Sequence, residues 1–486
     1  MAVAADGIPG PGVVVLGAGI SGAAAAELLL RLGRDPLVAD ARVEAEIAAA
    51  PRLRRLGARL AAGGHPPSLL DGVSLVVASP GFPPDSAILV RAQEAGIPVW
   101  SELELGYRAL GEPAARIAAV TGTKGKSSVT TLLAEALRRA GQDAVACGNL
   151  GRPLSAVAPG FGPEAVAVIE VSSFQLATIA RFRARVAVLL AVAEDHLDWH
   201  PDREHYHRSK ARIFENQTAG DIAVFDGADP VARSLAETAA GTTGAALLPF
   251  GGGAGTADTE VVIERGRAVL RAGGRPEVLA RLDVLPFAPL HQQRNLTAAA
   301  TAARLFGAPR QAVEAAARGF RGLPHAIEDL GGAGGVRFVN DSRATTLVAT
   351  AAALGALGTP ATPAGGIELI LGGILKGGSF AELDADLPRR NVRTVHAIGA
   401  ATSRIVLDIR SVPVRTADSL DQAVRRAFRA AKARGGGIVL LSPGCSSFDL
   451  FANYRDRGRR FRTLASGLGA RPPAPQPAFG HRGVAP

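Results

Sequence analysis

The chain has 486 residues, 47% apolar and 20% charged, with 54 Lys and Arg against 44 Asp and Glu for a net charge of +10. That length supports two or three domains with sizeable cores, and the balance of apolar to charged residues excludes a disordered or fibrous chain. Two cysteines, Cys147 and Cys445, exclude a disulfide framework or a cysteine-rich metal cluster and fit a reducing cytoplasm.

No apolar run reaches the roughly 18 residues of a membrane span, so membrane insertion is not expected. The N-terminus lacks the basic segment and apolar core of a secretory signal. The positive charge suits anionic ligands such as nucleotides, but arginine and alanine are abundant throughout, so it also reads as compositional background. With three tyrosines, two tryptophans and no basic stripe interleaved with aromatics, nucleic-acid binding is not expected.

In chain order, Val13–Leu16 reads as a buried strand leading into GAGISG, Gly17–Gly22, at the head of an alanine-rich helix. Leu37–Ala39 is the next strand and ends at Asp40, about 20 residues on, where a Rossmann unit places its ribose-binding carboxylate. Leu75–Ala78 runs into a turn at Ser79, Pro80 and Gly81. Residues 1–110 are therefore expected to form a Rossmann-like nucleotide-binding domain, and dehydrogenase chemistry stays open on these residues alone.

The apolar strand Ile117–Val120 runs into Gly122, Thr123, Lys124, Gly125, Lys126, Ser127 and Ser128, followed by a helical stretch. Glycines that aim N–H groups inward, a helix N-terminus and a lysine make a phosphate cradle. Two further apolar runs end in polar residues: one at Glu170, suited to Mg²⁺ beside phosphates, and one at Asp195, His196 and Asp198. Without cysteines or well-spaced partners the latter group favours Mg²⁺ or substrate over zinc. Lys210 falls on a helix, where a solvated lysine is the default.

A glycine-rich, alternating stretch after residue 240 suggests an antiparallel excursion, and LHQQRNLTAAATAARLFG returns to helix. From Gly322 four apolar strands alternate with helices, predicting a second open α/β sheet with its ligand loops at the strand carboxyl ends. The expectation is an α/β chain of three domains. The N-terminal one, 1–110, is Rossmann-like; the central one, 111–321, is a P-loop-type ATPase domain with a mostly parallel sheet; the C-terminal one, 322–466, is again Rossmann-like. A proline-rich tail, 467–486, cannot build a core and is expected to be disordered.

Taken together, TGTKGKS, EVSSFQL, EDHLDWH, SKARI, LHQQRN, GLPH, NDSRAT, GGILKGG and SPGCSSFDLF resemble the Mur ligase family in order and spacing up to about residue 466. The resemblance implies an ATP- and Mg²⁺-dependent amide ligase that adds D-glutamate to UDP-N-acetylmuramoyl-L-alanine in cytoplasmic peptidoglycan precursor synthesis, acting as a monomer. It assigns catalysis to Lys126, His196 and Lys210, the last as a carbamylated lysine, and metal binding to Ser127, Glu170, His196 and Lys210. ATP would meet residues 122–128, Asn295 and Asp341. The UDP substrate would meet Ser21, Asp40, Arg42, Ser79, Pro80, Gly81 and Asn149, and glutamate would meet Thr345, Lys376, Ser447 and Tyr454.

Lys124, Gln292, Ala326, Arg343 and Ile374 depart from the family pattern. Two alternatives stay open: a sister ligase using L-glutamate, which Lys124 also resembles, and a paralogue that binds nucleotide without catalysis.

Overall fold

The computed structural model describes residues 7–111, 116–197, 199–252, 258–285, 290–359 and 362–471. The chain forms two compact units, Met1–Arg318 and Gly319–Pro486.

The first unit holds two sheets. In the first sheet are β1 (Val13–Leu16), β2 (Pro36–Asp40), β3 (Arg59–Ala62), β4 (Leu75–Ala78) and β5 (Val99–Ser101). All are parallel in the order β3-β2-β1-β4-β5. The second sheet holds β6 (Ile117–Thr121), β7 (Ala144–Gly148), β8 (Val166–Glu170), β9 (Val186–Leu189), β10 (Ile222–Asp226) and β11 (Ala246–Gly252). It continues with β12 (Thr259–Glu264), β13 (Arg267–Ala272) and β14 (Glu277–Arg281). Its order is β14-β13-β12-β11-β10-β9-β6-β8-β7, antiparallel only along β12-β13-β14, where the sequence alternates.

The central strands are short and apolar because helices cover both faces. Strand β9 stops at Leu189, four residues before the end of the apolar run 186–193, and Leu190 to Ala193 run on beside the glycine-rich loop, bonded to Thr121 and Thr123.

The helix Glu102–Ala109 carries two buried carboxylates that tie residues near the first sheet to the second. Glu104 accepts the backbone N–H groups of Ala180, Arg181 and Phe182 and pairs with Arg108 at 2.7 Å. Glu102 Oε1 accepts the Ser155 N–H at 2.6 Å, while Oε2 has no partner. Burial pushes the Glu102 carboxyl up to about 7.

Between the ordinary carboxylate value and about 7, the native state keeps a proton that the unfolded chain has lost. Stability therefore falls as pH rises through that window, by at most roughly 3 kcal/mol. Glu102→Gln keeps the acceptor and removes the titration. It is expected to flatten this slope and raise Tm at pH 8 but not at pH 5, and identical pH slopes for both proteins would eliminate Glu102 as the source.

The second unit is one sheet: β15 (Glu328–Ala333), β16 (Val336–Asn340), β17 (Ile367–Gly372), β18 (Val392–Ile398), β19 (Val414–Thr416) and β20 (Gly437–Leu441). The order is β15-β16-β20-β17-β18-β19, with only β15 antiparallel. The helices Leu420–Ala433 and Tyr454–Gly467 pack their apolar stripes into one core, Leu420, Val424 and Ala427 meeting Phe461 and Leu464. Of the proposed tail, Ala470 is buried in this core and Arg471 bridges Gly332; residues 472–486 lie outside the described residues. Among the described residues no helix is long and apolar enough to cross a membrane.

Candidate functional site

Strand β6 lies between β8 and β9, with Val120 level with Glu170 on one side and Val188 on the other. The strand order reverses here, which opens the crevice where α/β sheets bind ligands. The loop that follows is held by close approaches. A Cβ on Gly122, whose φ is +145°, would lie 2.6 Å from Leu190 Cβ. One on Gly125, at φ +88°, would lie 2.4 Å from Asn295 Oδ1. Only glycine fits either position, and the helix Lys126–Arg139 starts directly after it. Asn295 is thus set against the loop, with its amide donating to Gln292 Oε1 at 3.3 Å.

Two lysines converge on one loop carbonyl. Lys126 Nζ donates to Gly122 O at 2.9 Å and Thr123 O at 3.0 Å, and Lys210 Nζ donates to Gly122 O at 2.8 Å. The default reading of Lys210 as a solvated helix lysine is overturned, since it is 2% exposed. Burial first, then the Lys126 charge, pulls its ammonium down to about 6, so the amine is mostly neutral at neutral pH. Glu170, at the end of β8, accepts from Asn149 Nδ2 at 2.9 Å, and its buried Oε2 has no hydrogen-bond partner.

On the other side, His196 takes φ +56° and sits edge-on to Phe174, 3.8 Å from Asp195 Oδ2. Lys124 is exposed, 4.0 Å from the same carboxylate. Asp198 lies outside the described residues. Among the described residues no group of three His, Cys, Asp or Glu could hold a metal ion by itself. The unpartnered Glu170 Oε2 ends the strand that pairs with β6, the strand leading into Ser127, and a lone buried carboxylate oxygen suits a cation that shares its shell with phosphate oxygens.

Tyr206 was not foreseen as part of the site. It lies four residues before Lys210 on the helix Arg203–Ala211, so both face the same way. Its hydroxyl meets Thr123 Oγ1 at 2.9 Å, and Lys210 Nζ lies 4.6 Å from its ring centroid. Thr123 also exchanges hydrogen bonds with the Ala193 backbone. The i, i+4 spacing was visible in the sequence; the partner was not. Tyr206→Phe is expected to raise KM for ATP by about three- to tenfold, the worth of one buried hydrogen bond, with Tm nearly unchanged. An unchanged KM would mean that the hydroxyl does not hold the loop.

In the first sheet, Ser21, Asp40, Arg42, Ser79, Pro80 and Gly81 gather at the carboxyl ends of the adjacent strands β2, β1 and β4. Asp40 accepts the Ala18 N–H at 2.8 Å and binds Arg42 through both oxygens, at 2.9 and 2.7 Å. Arg42 holds the carboxyl well below its usual range, and the guanidinium faces outward from the strand end. Asn149 stands apart from this group, at the end of β7 beside Glu170.

In the second unit, the loops carrying Thr345, Lys376 and Ser447 follow β16, β17 and β20, which are neighbours in the order β16-β20-β17. Ser447 is buried and Lys376 exposed. Arg457, buried on the helix that Tyr454 begins, joins all three loops. It donates to Ser342 O and Cys445 O at 3.0 Å, to Ser342 Oγ at 3.1 Å and to Gly372 O at 3.4 Å. Burial brings it down to about 10, so it stays charged at neutral pH.

Asp341 accepts from Ser442 Oγ and from the Ile327 N–H, and burial pushes it up to about 7. Of the departures in this unit, Arg343 donates its backbone N–H to His325 O, Ala326 closes a turn onto Leu323 O, and Ile374 exchanges backbone bonds with Ser446.

The family described as Mur ligase middle domain matches residues 120–303, and the MurD-like Mur ligase N-terminal domain matches residues 11–101. A UDP-N-acetylmuramoylalanine--D-glutamate ligase from Desulfosudis oleivorans is 40% identical over 451 residues, covering 92% of this chain and 95% of its own. The enzyme of the same name from Rubrobacter xylanophilus is 41% identical over 461 residues, covering 93% and 98%. Among solved structures, the UDP-N-acetylmuramate-alanine ligase MurC from Thermotoga maritima superposes with a TM-score of 0.58 at 17% identity. It covers 94% of this chain and 99% of that one, a likeness of fold.

Proposed function

Because the chain belongs to the Mur ligase family, we propose that it catalyses ATP-dependent addition of D-glutamate to UDP-N-acetylmuramoyl-L-alanine, a step of peptidoglycan precursor synthesis. The observation that carries this reading is near-full-length identity to ligases of that name, joined to a phosphate loop with two lysines on one carbonyl.

A carboxylate is a poor electrophile, so it first attacks the γ-phosphorus of ATP and displaces ADP. The glutamate amine then attacks the acyl phosphate carbon, phosphate leaves with the oxygen, and the amine loses its proton. Lys126 and the helix N-terminus behind Gly125 offset the charge of the phosphoryl group in transit. Mg²⁺ would be held by Ser127 and Glu170, with His196 and a carbamylated Lys210 on a second ion. When bound, it screens the negative charge of the phosphates. The unpartnered Glu170 Oε2 supports this, and a neutral Lys210 amine is the form that adds CO₂.

Residues 1–110 would hold the uridine nucleotide, with the guanidinium of Arg42 toward the phosphates, and residues 111–321 would hold ATP, with Asn295 on the adenine side. Residues 322–466 would hold glutamate, its carboxylate on Lys376 and its remaining groups on Thr345, Ser447 and Tyr454, with Asp341 toward the ATP ribose. Buried, free Cys147 and Cys445 favour the cytoplasm.

The test is phosphate release by the purified chain with UDP-N-acetylmuramoyl-L-alanine, ATP and Mg²⁺, run separately with D- and L-glutamate. Release with D-glutamate alone is the expected result. Release with L-glutamate alone would move the chain to the sister reaction, and silence with both would end the ligase reading.

A further inference from the structure

The net charge of this protein is not spread along the chain. Residues 1–318 contain 32 Lys and Arg and 32 Asp and Glu, whereas residues 319–486 contain 22 against 12. The whole excess of +10 therefore belongs to the second unit, and a uniform arginine background does not explain it. Within that unit the helices Leu420–Ala433 and Tyr454–Gly467 carry nine Lys and Arg against two Asp.

Their apolar stripes are spent on the shared core, so the outer faces are left to the basic side chains. Arg425, Arg426, Arg429 and Lys432 are exposed on the first helix, and Arg455, Arg459, Arg460 and Arg462 on the second. Asp421 pairs with Arg460, Asp456 with Arg459 and Glu328 with Arg462. Arg425, Arg429, Lys432 and Arg455 pair with no carboxylate among the described residues. Among the described residues, none of the exposed large apolar side chains lies on either helix.

A protein partner would need buried aromatic or aliphatic anchors at the centre of its contact. A face of charge without exposed apolar anchors suits an extended plane of negative charge that is read only through its field. We propose that the outer face of these two helices docks the enzyme reversibly on an anionic lipid bilayer surface. The proposal does not depend on the ligase reading, because it rests on charge placement in the second unit alone.

The experiment is co-sedimentation of the full chain with vesicles of equal parts phosphatidylglycerol and phosphatidylcholine, against vesicles of phosphatidylcholine alone. Binding to the anionic vesicles at low salt, lost at near-molar salt, is expected. The triple variant Arg425→Glu, Arg429→Glu, Lys432→Glu should lower the partition coefficient at least about tenfold. It should keep the parent's Tm and phosphate release. A control triple in the first unit, Arg265→Glu, Arg267→Glu, Arg275→Glu, changes the net charge equally and should bind like the parent. Equal losses in both triples would overturn the face assignment. Equal binding to neutral vesicles, or binding to polyglutamate with none to vesicles, would overturn the lipid partner.

Discussion

Lys126→Ala is expected to lower phosphate release by about two to three orders of magnitude, the usual cost of removing one preorganised group that meets developing charge. The loop fold should survive the loss of the two Lys126 bonds, because Leu190 and Asn295 still pack against Gly122 and Gly125 and Lys210 still donates to Gly122 O. Lys210→Ala should cost as much for a different reason. The buried amine at the Gly122 carbonyl has lost most of its positive charge, and as a carbamate it would present oxygens instead. Short carboxylates such as formate should then restore part of the Lys210→Ala rate and none of the Lys126→Ala rate. Initial rates with and without formate, plus intact-protein mass for one added CO₂, are the measurements. Rescue of both variants, or of neither with no CO₂ adduct on the parent, would count against the separate roles.

Arg457→Ala is expected to destabilise the second unit by about 3–5 kcal/mol, since it removes the buried guanidinium that bonds the carbonyls of Ser342, Gly372 and Cys445, although the Ser342 hydroxyl keeps its bond to Tyr454 O. The loops freed are those after β16, β17 and β20, which carry Thr345, Lys376 and Ser447. With glutamate held as proposed, its KM should therefore rise far more than KM for the UDP substrate. Arg457→Lys keeps the charge but not the planar fork, and should recover only part of either loss. Denaturant midpoints and the two KM values together decide the matter. Parent-like stability with an unchanged glutamate KM would remove Arg457 from this role.

Much was legible in the sequence for identifiable reasons. Apolar runs such as Val13–Leu16, Ile117–Val120 and Leu75–Ala78 are strands because local pattern suffices where both faces are buried. Polar residues directly after such runs, Glu170 and Asp40 among them, lie at strand ends because a parallel sheet has nowhere else to put them. Gly122 and Gly125 were readable because no other residue takes their conformations.

What stayed hidden were properties of distant partners. By local pattern Lys210 is an ordinary helix lysine, singled out only by the family resemblance, and the fold brings it to a carbonyl 88 residues away. Arg457 sits in an arginine-rich helix whose pattern does not say which arginine turns inward, and the +10 charge reads as diffuse until the unit boundary is drawn. The strands, the glycine-rich loop and the family can be read from neighbours in the chain. Which lysine loses its charge and which arginine is buried cannot be. Desolvation and hydrogen bonding depend on groups that folding brings together.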